Sequence, residues 1–185
     1  MIQHKTIDGL LLRDMVVAGA ALLEKNREAV DALNVFPVPD GDTGTNMSLT
    51  MQSATREVNA QEYLRADEAA AAISKGALKG ARGNSGVILS LLFRGIAKSL
   101  KGRETANAAE FAAAVSAGVD AAYKAVMKPA EGTILTVSRL GAQAAVAFAK
   151  DSTDFEGMLD ALLVAAREAL ADTQNINPVL RRAGV

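Results

Sequence analysis

Apolar residues recur at the helical period along almost the whole chain, and segments rich in glycine, proline and polar residues interrupt them. The pattern predicts eight helices, the first over about residues 7–33, the second over about 46–58, and the others beginning at Asp67, Ser85, Asn107, Thr133, Thr153 and Asn177. Asn107 with Glu110 and Thr153 with Glu156 have the spacing of a capping box. No convincing strand or linker is recognisable. The sequence therefore predicts one all-α domain over residues 1–185, a bundle of antiparallel helices.

Composition narrows the possible functions. Half of the 185 residues are hydrophobic but only 4% are aromatic, which suits closely packed helices better than a β-sandwich. A formal net charge of −1 provides no basic field, so no nucleic-acid partner is predicted. The chain has no cysteine, which excludes disulfides and thiolate zinc sites, and its one histidine, His4, is predicted to lie in an N-terminal tail. No apolar run approaches the ~18 residues of a membrane helix and no secretory signal is present, so the prediction is a cytoplasmic protein not integral to a membrane.

The most informative motif is the segment at residues 34–47, which reads Asn-Val-Phe-Pro-Val-Pro-Asp-Gly-Asp-Thr-Gly-Thr-Asn-Met. Its prolines favour an extended approach, and its glycines allow a tight turn that lets Asp40 and Asp42 converge on a hard cation such as Mg²⁺. Thr45 or Asn46 is a suitable N-cap for the helix that follows, whose first amides could face an anion. An ordinary solvated turn is the alternative. The register excludes an EF-hand, because the positions that should carry its glycine and its last glutamate carry other residues.

A second glycine-rich segment lies at residues 76–86. Gly76 is predicted to serve close helix packing, whereas the turn at residues 83–86, with its helix capped by Ser85, is suited to phosphate oxygens. The segment is neither a P-loop nor a dinucleotide fingerprint, since it lacks the Gly-Lys-Ser/Thr ending and no strand precedes it. Arg82 adds a positive charge beside the turn, or is an ordinary surface residue.

A third junction, at residues 128–137, enters a helix through Thr133, and taken alone it favours capping over ligand contact. The three junctions carry more information together. In an antiparallel array the helices that begin near residues 46, 85 and 133 start at the same end of the bundle. The sequence therefore predicts a nucleotide site at that end.

Residues 34–47, 80–90 and 128–137 together resemble the nucleotide-binding domain that bacterial fatty acid kinases share with the ADP-binding subunit of dihydroxyacetone kinase. The resemblance covers essentially the whole chain, and the Pro-Asp-Gly-Asp-Thr-Gly and Arg-Gly-Asn-Ser-Gly sequences resemble the fatty acid kinase branch. It implies an eight-helix antiparallel barrel with ATP or ADP and two Mg²⁺ ions at one end.

The resemblance also implies roles for individual residues. Asp40 and Asp42 would be metal ligands, and Asn34 lies near the place of a third ligand in the other branch, with a spacing that differs by one residue. Arg82 joins the two aspartates as a catalytic group. Nucleotide contacts are implied for Thr43, Thr45, Asn46, Gly83, Asn84, Ser85 and Thr133.

The function that the resemblance implies is transfer of phosphate from ATP to a fatty acid carboxylate held by a separate carrier protein, giving an acyl phosphate. The chain is expected to be part of a longer multidomain protein that forms a homodimer at full length, and to bind Mg·ATP while transferring phosphate poorly by itself. Two alternatives stay open at this point. One is the nucleotide-binding subunit of a dihydroxyacetone kinase, and the other is a non-catalytic helical module that holds a lipid tail.

Overall fold

The computed structural model describes residues 4–185, which form nine helices and two very short strands. The elements in chain order are β1 (Thr6–Ile7), α1 (Gly9–Lys25), α2 (Arg27–Ala32), α3 (Thr43–Val58), α4 (Ala66–Gly80), α5 (Gly83–Leu100), β2 (Ala106–Asn107), α6 (Ala108–Ala125), α7 (Ile134–Asp151), α8 (Phe155–Ile176) and α9 (Pro178–Ala183). The predicted all-α class is confirmed. No helix among residues 4–185 is long and apolar enough to cross a membrane.

The predicted single first helix is wrong, because the chain breaks at Asn26 into α1 and α2. Asn26 leaves the helical conformation, and its side-chain amide donates to the carbonyl of Leu22 at 2.8 Å. An asparagine that bonds to the backbone in this way competes with the regular helical ladder. The break turns α2 against α3, and Asp31 of α2 thereby contacts Thr45 in the first turn of α3.

Two antiparallel strands, β1 and β2, were not predicted. Each has only two residues, too few to show the alternation by which a strand is recognised. Thr6 pairs with Asn107 and Ile7 with Ala106, and Ile7 and Ala106 are both fully buried. The pairing fixes the start of α1 beside the start of α6.

Helix starts were predicted with mixed success. Asn107 with Glu110 forms the capping box, and Thr133 and Asn177 cap α7 and α9, as predicted. The predicted box of Thr153 with Glu156 is wrong, since Asp154 occupies the N-cap position of α8 without a side-chain hydrogen bond.

Three further predicted caps lie inside their helices. α3 begins at Thr43 rather than beyond Thr45, and α5 begins at Gly83 rather than after Ser85. Asp67 lies in the first turn of α4, where its carboxylate accepts hydrogen bonds from Arg65 and from the amide of Gly102. The Asp67 carboxylate is therefore used by these two contacts rather than as the N-cap of α4.

The core is built from small side chains on closely approaching helices. A Cβ on Gly76 of α4 would lie 2.5 Å from the carbonyl oxygen of Ser53 on α3, which confirms the predicted packing role. Gly95 of α5 and Gly118 of α6 allow the same close approach between their helices. The largest fully buried side chains are those of Ile7, Ile73, Leu100, Met158, Val58, Thr50, Thr136 and Ser48.

Helices α3 to α8 pack mainly against their neighbours in the chain, while α1 packs on α3 and α4. Because consecutive neighbours joined by short connections run antiparallel, α3, α5 and α7 start at one end, which we call the loop end. The other end carries β1, β2 and an ion-pair group in which Arg65 contacts both Asp67 and Glu104. These contacts fix the far end of the bundle.

Candidate metal and phosphate site

The segment at residues 34–42, here called the Asp-Gly-Asp loop, lies between α2 and α3 at the loop end and has neither helix nor strand structure. Asn34 organises it: its Oδ1 accepts hydrogen bonds from the amides of Asp42 and Thr43, each at 3.2 Å, and its Nδ2 donates to the carbonyl of Val38 at 2.8 Å. Gly41 takes a positive φ of 66°, the turn that a residue with a Cβ resists. The loop therefore closes on itself through one asparagine side chain.

Asp40 and Asp42 lie on either side of that turn. Asp40 is exposed and Asp42 half-buried, and neither carboxylate makes a hydrogen bond or ion pair with another residue of the described chain, 4–185. The same residues contain no group of three or more His, Cys, Asp or Glu side chains arranged as a metal site. The protein thus presents two carboxylates with free oxygens, and a cation held there would draw its other ligands from elsewhere.

The first turn of α3 differs from the expectation that its amides face an anion. Asp31, near the end of α2, accepts from the Thr45 amide at 2.9 Å and from the Thr45 hydroxyl at 2.8 Å. These bonds, the amide bond foremost, lower the pKa of Asp31. Asn34 takes the amides of Asp42 and Thr43. The amide donors at this helix start are therefore already satisfied by side chains of the protein.

The first turn of α5 is different. Arg82 occupies the N-cap position with no side-chain hydrogen bond to the helix, and Gly83 takes a positive φ of 57°. Within the described chain the amides of Gly83, Asn84 and Ser85 have no partner, as is usual for the first donors of an uncapped helix. Arg82, Gly83 and Asn84 are exposed, and the Arg82 guanidinium makes no ion pair with residues 4–185. This turn can accept an anion without first breaking a protein contact.

The structure brings the starts of α3 and α5 together. A Cβ on Gly83 would lie 2.3 Å from Nδ2 of Asn46, so the asparagine side chain covers the turn. Thr50, fully buried one turn further along α3, donates to the Asn46 carbonyl at 2.7 Å and accepts from the Arg82 amide at 3.3 Å. The first turn of α3, which directly follows the Asp-Gly-Asp loop, is consequently in contact with the free start of α5.

The third junction is placed differently. Thr133 caps α7, since its hydroxyl accepts from the Leu135 amide at 3.3 Å and donates to the Ala130 carbonyl at 2.7 Å. Gly132, with a φ of 71°, packs against the α8–α9 junction, where a Cβ would meet Asn177 at 2.8 Å. Thr133 starts its helix at the predicted end of the bundle, but its contacts lie with its own turn rather than with Asn46 or Gly83.

Beside that turn Glu131 joins α6 to α7. It accepts from the Thr136 hydroxyl at 2.6 Å, from Arg139 at 2.7 Å and from the Tyr123 hydroxyl at 3.0 Å. The Thr136 bond, followed by the contacts with Arg139 and Tyr123, lowers the pKa of Glu131. The network orients the turn that carries Thr133.

Sequence reasoning missed Asp31, Thr50 and the Glu131 network. Thr50 could have been recognised in the sequence, because it is a polar residue at a position of α3 that faces the core. Asp31 left none, since it was assigned to the interior of one long helix whose break was not foreseen. Its role depends on the fold of α2 against α3.

Comparison with known proteins adds to this geometry. The sequence pattern of the DAK2 domain matches residues 37–185, which include the Asp-Gly-Asp residues and both later junctions. The chain belongs to the DAK2-domain family. This confirms the resemblance at the level of the family, which is related to the dihydroxyacetone kinases and has a nucleotide-binding, kinase-related role.

The chain is similar to Protein YloV of Bacillus subtilis (strain 168), with 52% identity over 98% of this chain and 33% of the relative. It is also similar to an uncharacterized protein of Staphylococcus aureus (strain bovine RF122 / ET3-1), with 50% identity over 97% of this chain and 33% of that protein. The chain therefore spans about a third of the length of the curated relatives it matches.

Proposed function

We propose that this DAK2 domain binds Mg·ATP at the loop end and is the kinase domain of a fatty acid kinase. The observation that supports it most is the contact between Asn46 and Gly83, which joins two unpaired carboxylates to a helix start whose amides are free. A hard cation and a polyphosphate are the ligands that such a pair of features suits. The proposal covers residues 1–185 as one nucleotide-binding domain.

The residues present fit Mg²⁺. Mg²⁺ is usually held by one or two carboxylates together with waters and substrate phosphates, and seldom by an all-protein cage. Asp40 and Asp42 supply that number of carboxylates, and their oxygens are not engaged by other described residues. Bound there, Mg²⁺ would neutralise charge on the phosphate oxygens. A pair of ions, as the family resemblance implies, would need oxygen ligands from the nucleotide and from water in addition to the two carboxylates.

The phosphate groups are assigned to the start of α5. The free amides of Gly83, Asn84 and Ser85 donate to phosphate oxygens, and Arg82 adds a positive charge that neutralises the transferring group. Phosphoryl transfer depends on such positioning and charge neutralisation more than on covalent chemistry by the protein. Thr43, Asn46 and Thr133 complete the proposed contacts, whereas Thr45 reaches the nucleotide only if it gives up Asp31. Asn34 as a metal ligand stays a prediction.

The acceptor is proposed to be a fatty acid carboxylate presented by a separate carrier protein. A carboxylate is already ionised at neutral pH and needs no general base, which suits a domain whose one histidine, His4, is exposed at the start of the chain. The carrier, a homodimer and a cytoplasmic location are proposals for the whole protein, of which this chain matches a part.

Calorimetry tests the nucleotide site directly. ATP is titrated into the parent chain with and without Mg²⁺, and into Asp42→Asn and Asp160→Asn, the latter an exposed aspartate on α8 that serves as the control. Binding is expected to require Mg²⁺, to fall at least tenfold in Asp42→Asn, and to be unchanged in Asp160→Asn. Equal binding by all three proteins would overturn the proposed metal site.

The acceptor needs a second experiment on the full-length protein. ATP consumption is followed with a carrier protein loaded with fatty acid, and separately with dihydroxyacetone and its partner subunit. Turnover only with the loaded carrier supports the fatty acid kinase. Turnover only with dihydroxyacetone would move the assignment to the other branch.

One observation favours the lipid-binding alternative. A partly open apolar pocket of about 230 Å³ lies between α1 and the helices packed beside it. It is lined by Leu12, Met15, Val16, Gly19, Met51, Ala70, Ile73, Phe93, Ile96 and Phe111. Its volume is below the ~300–1,000 Å³ of typical ligand pockets, so it accommodates a short apolar segment rather than a complete fatty acid. Binding of a fluorescent fatty acid that is insensitive to Mg²⁺, together with no binding of ATP, would favour this alternative.

A further inference from the structure

Resting on the proposed function, we propose that Asp31 is a positioning residue for the metal-binding loop. It would hold the first turn of α3 in place before any cation arrives, so that Asp40 and Asp42 meet Mg²⁺ already arranged. Nothing in the Asp-Gly-Asp motif itself points to this residue, which lies nine positions before Asp40 in the chain.

The first support is the double contact with Thr45. Both carboxylate oxygens of Asp31 are used, Oδ1 by the Thr45 amide at 2.9 Å and Oδ2 by the Thr45 hydroxyl at 2.8 Å. A carboxylate bound in this way fixes both the position and the rotation of the helix turn it caps. Because both oxygens already accept hydrogen bonds from Thr45, we assign Asp31 an effect on the cation through the backbone rather than a place among its ligands.

The second support is that the segment from Asp42 to Thr45, which bonds to Asn34 and Asp31, has little conformational freedom. Asn34 holds the amides of Asp42 and Thr43, and Asp31 holds Thr45 two residues later. Gly44 lies between them, where a Cβ would come within 2.2 Å of the Arg27 carbonyl oxygen, so α2 and α3 are in direct backbone contact. Asp42 is therefore held at its own amide by Asn34, and the helix turn that follows it is held by Asp31.

The third support is electrostatic. The carboxylate of Asp31 lies at the N-terminus of α3, where the helix dipole favours a negative charge. It takes the place that a phosphate would occupy at an open helix start. This arrangement directs the polyphosphate to the free turn of α5 and leaves α3 to carry the metal-binding loop.

The expected consequence is a change in the Mg²⁺ requirement. In Asp31→Ala the Thr45 amide loses its acceptor and the loop samples several conformations, so the Mg²⁺ concentration that half-saturates ATP binding should rise about tenfold. Excess Mg²⁺ should restore full binding, because both ligands remain. Asp31→Asn keeps an amide oxygen for the Thr45 amide and is about as good a helix cap, so it should stay within about twofold of the parent.

Asn107→Ala is the matched control for lost stability. It removes a side-chain cap of α6 at the opposite end of the bundle, and losing such a cap typically costs about 1 kcal/mol. It should lower the melting temperature to a similar extent as Asp31→Ala while leaving the Mg²⁺ requirement unchanged. Hydrogen exchange on the metal-free chain gives a second measurement, in which Asp31→Ala should speed exchange of the Thr45 amide and Asn107→Ala should not.

The outcomes separate the two proposals. If the parent shows no Mg²⁺-dependent ATP binding, the proposed function fails and the positioning role falls with it. If the parent binds and Asp42→Asn does not, while Asp31→Ala matches the parent in both Mg²⁺ requirement and exchange, only the positioning role is overturned. An equal shift in Asp31→Ala and Asn107→Ala would also overturn it, because the effect would then follow stability alone.

Discussion

The side-chain amide of Asn46 occupies the space where a side chain on Gly83 would begin, with Nδ2 2.3 Å from the position of a Cβ. The contact joins the first turn of α3 to the first turn of α5. Gly83 is also in the left-handed region, with a φ of 57°, so two independent requirements fall on one residue. The contact between the starts of α3 and α5 depends on the positive φ of Gly83 and on the space that its missing side chain leaves for Asn46.

Gly83→Ala is therefore expected to destabilise the chain in two ways. The left-handed backbone alone costs a residue with a Cβ roughly 1–2 kcal/mol, and displacement of Asn46 adds to it. Thermal denaturation should show a fall in melting temperature, and Mg·ATP affinity should fall with it.

The double variant Gly83→Ala with Asn46→Ala separates these contributions. Without the Asn46 amide group the nearest atom of that side chain is Cβ, 3.6 Å away, which is an ordinary contact. The steric part should vanish while the backbone part remains. If the loss of unfolding free energy in the double variant equals the sum of the losses in the two single variants, the close contact has no energetic effect.

A pair of glycines in helices tests the packing of the bundle. Gly76→Ala should destabilise by about 1–3 kcal/mol, since its Cβ would meet the Ser53 carbonyl and Ala54 of α3 at 2.5 and 2.8 Å. Gly19→Ala should instead stabilise by roughly 0.5–1 kcal/mol, because no atom lies within 4 Å and alanine favours the helix. Urea denaturation measures both, and effects of the same sign would contradict the described packing of α1 or α4.

The Glu131 network should make part of the stability depend on pH. Hydrogen bonding to Thr136, and then to Arg139 and Tyr123, lowers the pKa of Glu131. The ionised side chain therefore stabilises the fold fully above the ordinary glutamate pKa of about 4.3. The contribution is lost as the pH falls through the lower pKa of the folded state. At pH 7 the free energy of unfolding of the parent should be about 1 kcal/mol larger than that of Glu131→Gln. The difference is modest because the Glu131 side chain is 46% exposed.

That difference should shrink as the pH falls below 4, which melting curves of the two proteins from pH 7 to pH 3 can follow. Glu168→Gln, which removes one exposed charge from α8, controls for the change in net charge. A difference between the parent and Glu131→Gln that stays constant over this range would rule out the described network.

Arg82 tests the assignment of phosphate to α5. Its guanidinium is exposed and makes no ion pair with described residues, so Arg82→Ala should leave the melting temperature of the free chain nearly unchanged. Mg·ATP affinity should fall about tenfold or more, as expected for loss of a hydrogen bond to a charged group. Arg94→Ala, on the exposed side of the same helix, is the control. Equal affinities for the two variants would exclude Arg82 from the site.

The sequence predicts the all-α class because the helical period extends over most of the chain and its interruptions contain strong caps. Asn107 and Thr133 cap their helices as expected, since both bond to amides within three residues of themselves. Such local interactions depend on few other parts of the fold. These local predictions are confirmed, as is the Asn177 cap of α9, whereas the equally local box of Thr153 with Glu156 is not.

Predictions failed where distant segments compete for the same groups. Ser85 was expected to cap α5, but the Arg82 amide is held by Thr50 of α3 and the helix starts earlier. Leu22 is an apolar residue of α1, yet it is 64% exposed. The helical period identifies a face but not which of its turns are covered by a neighbour. Asp31 shows the same limit for the site, because its partner lies across a loop in another helix.

The pairing of Thr6 with Asn107 has a consequence for how the chain folds. It joins two points about a hundred residues apart, so loop-closure entropy opposes it until the intervening helices have formed. We expect the first strand to dock after α3 to α6 have assembled. The amino-terminal helix would then be fixed in place only after the middle of the chain had assembled, and during synthesis the first strand would have no partner until residues 106–107 had left the ribosome.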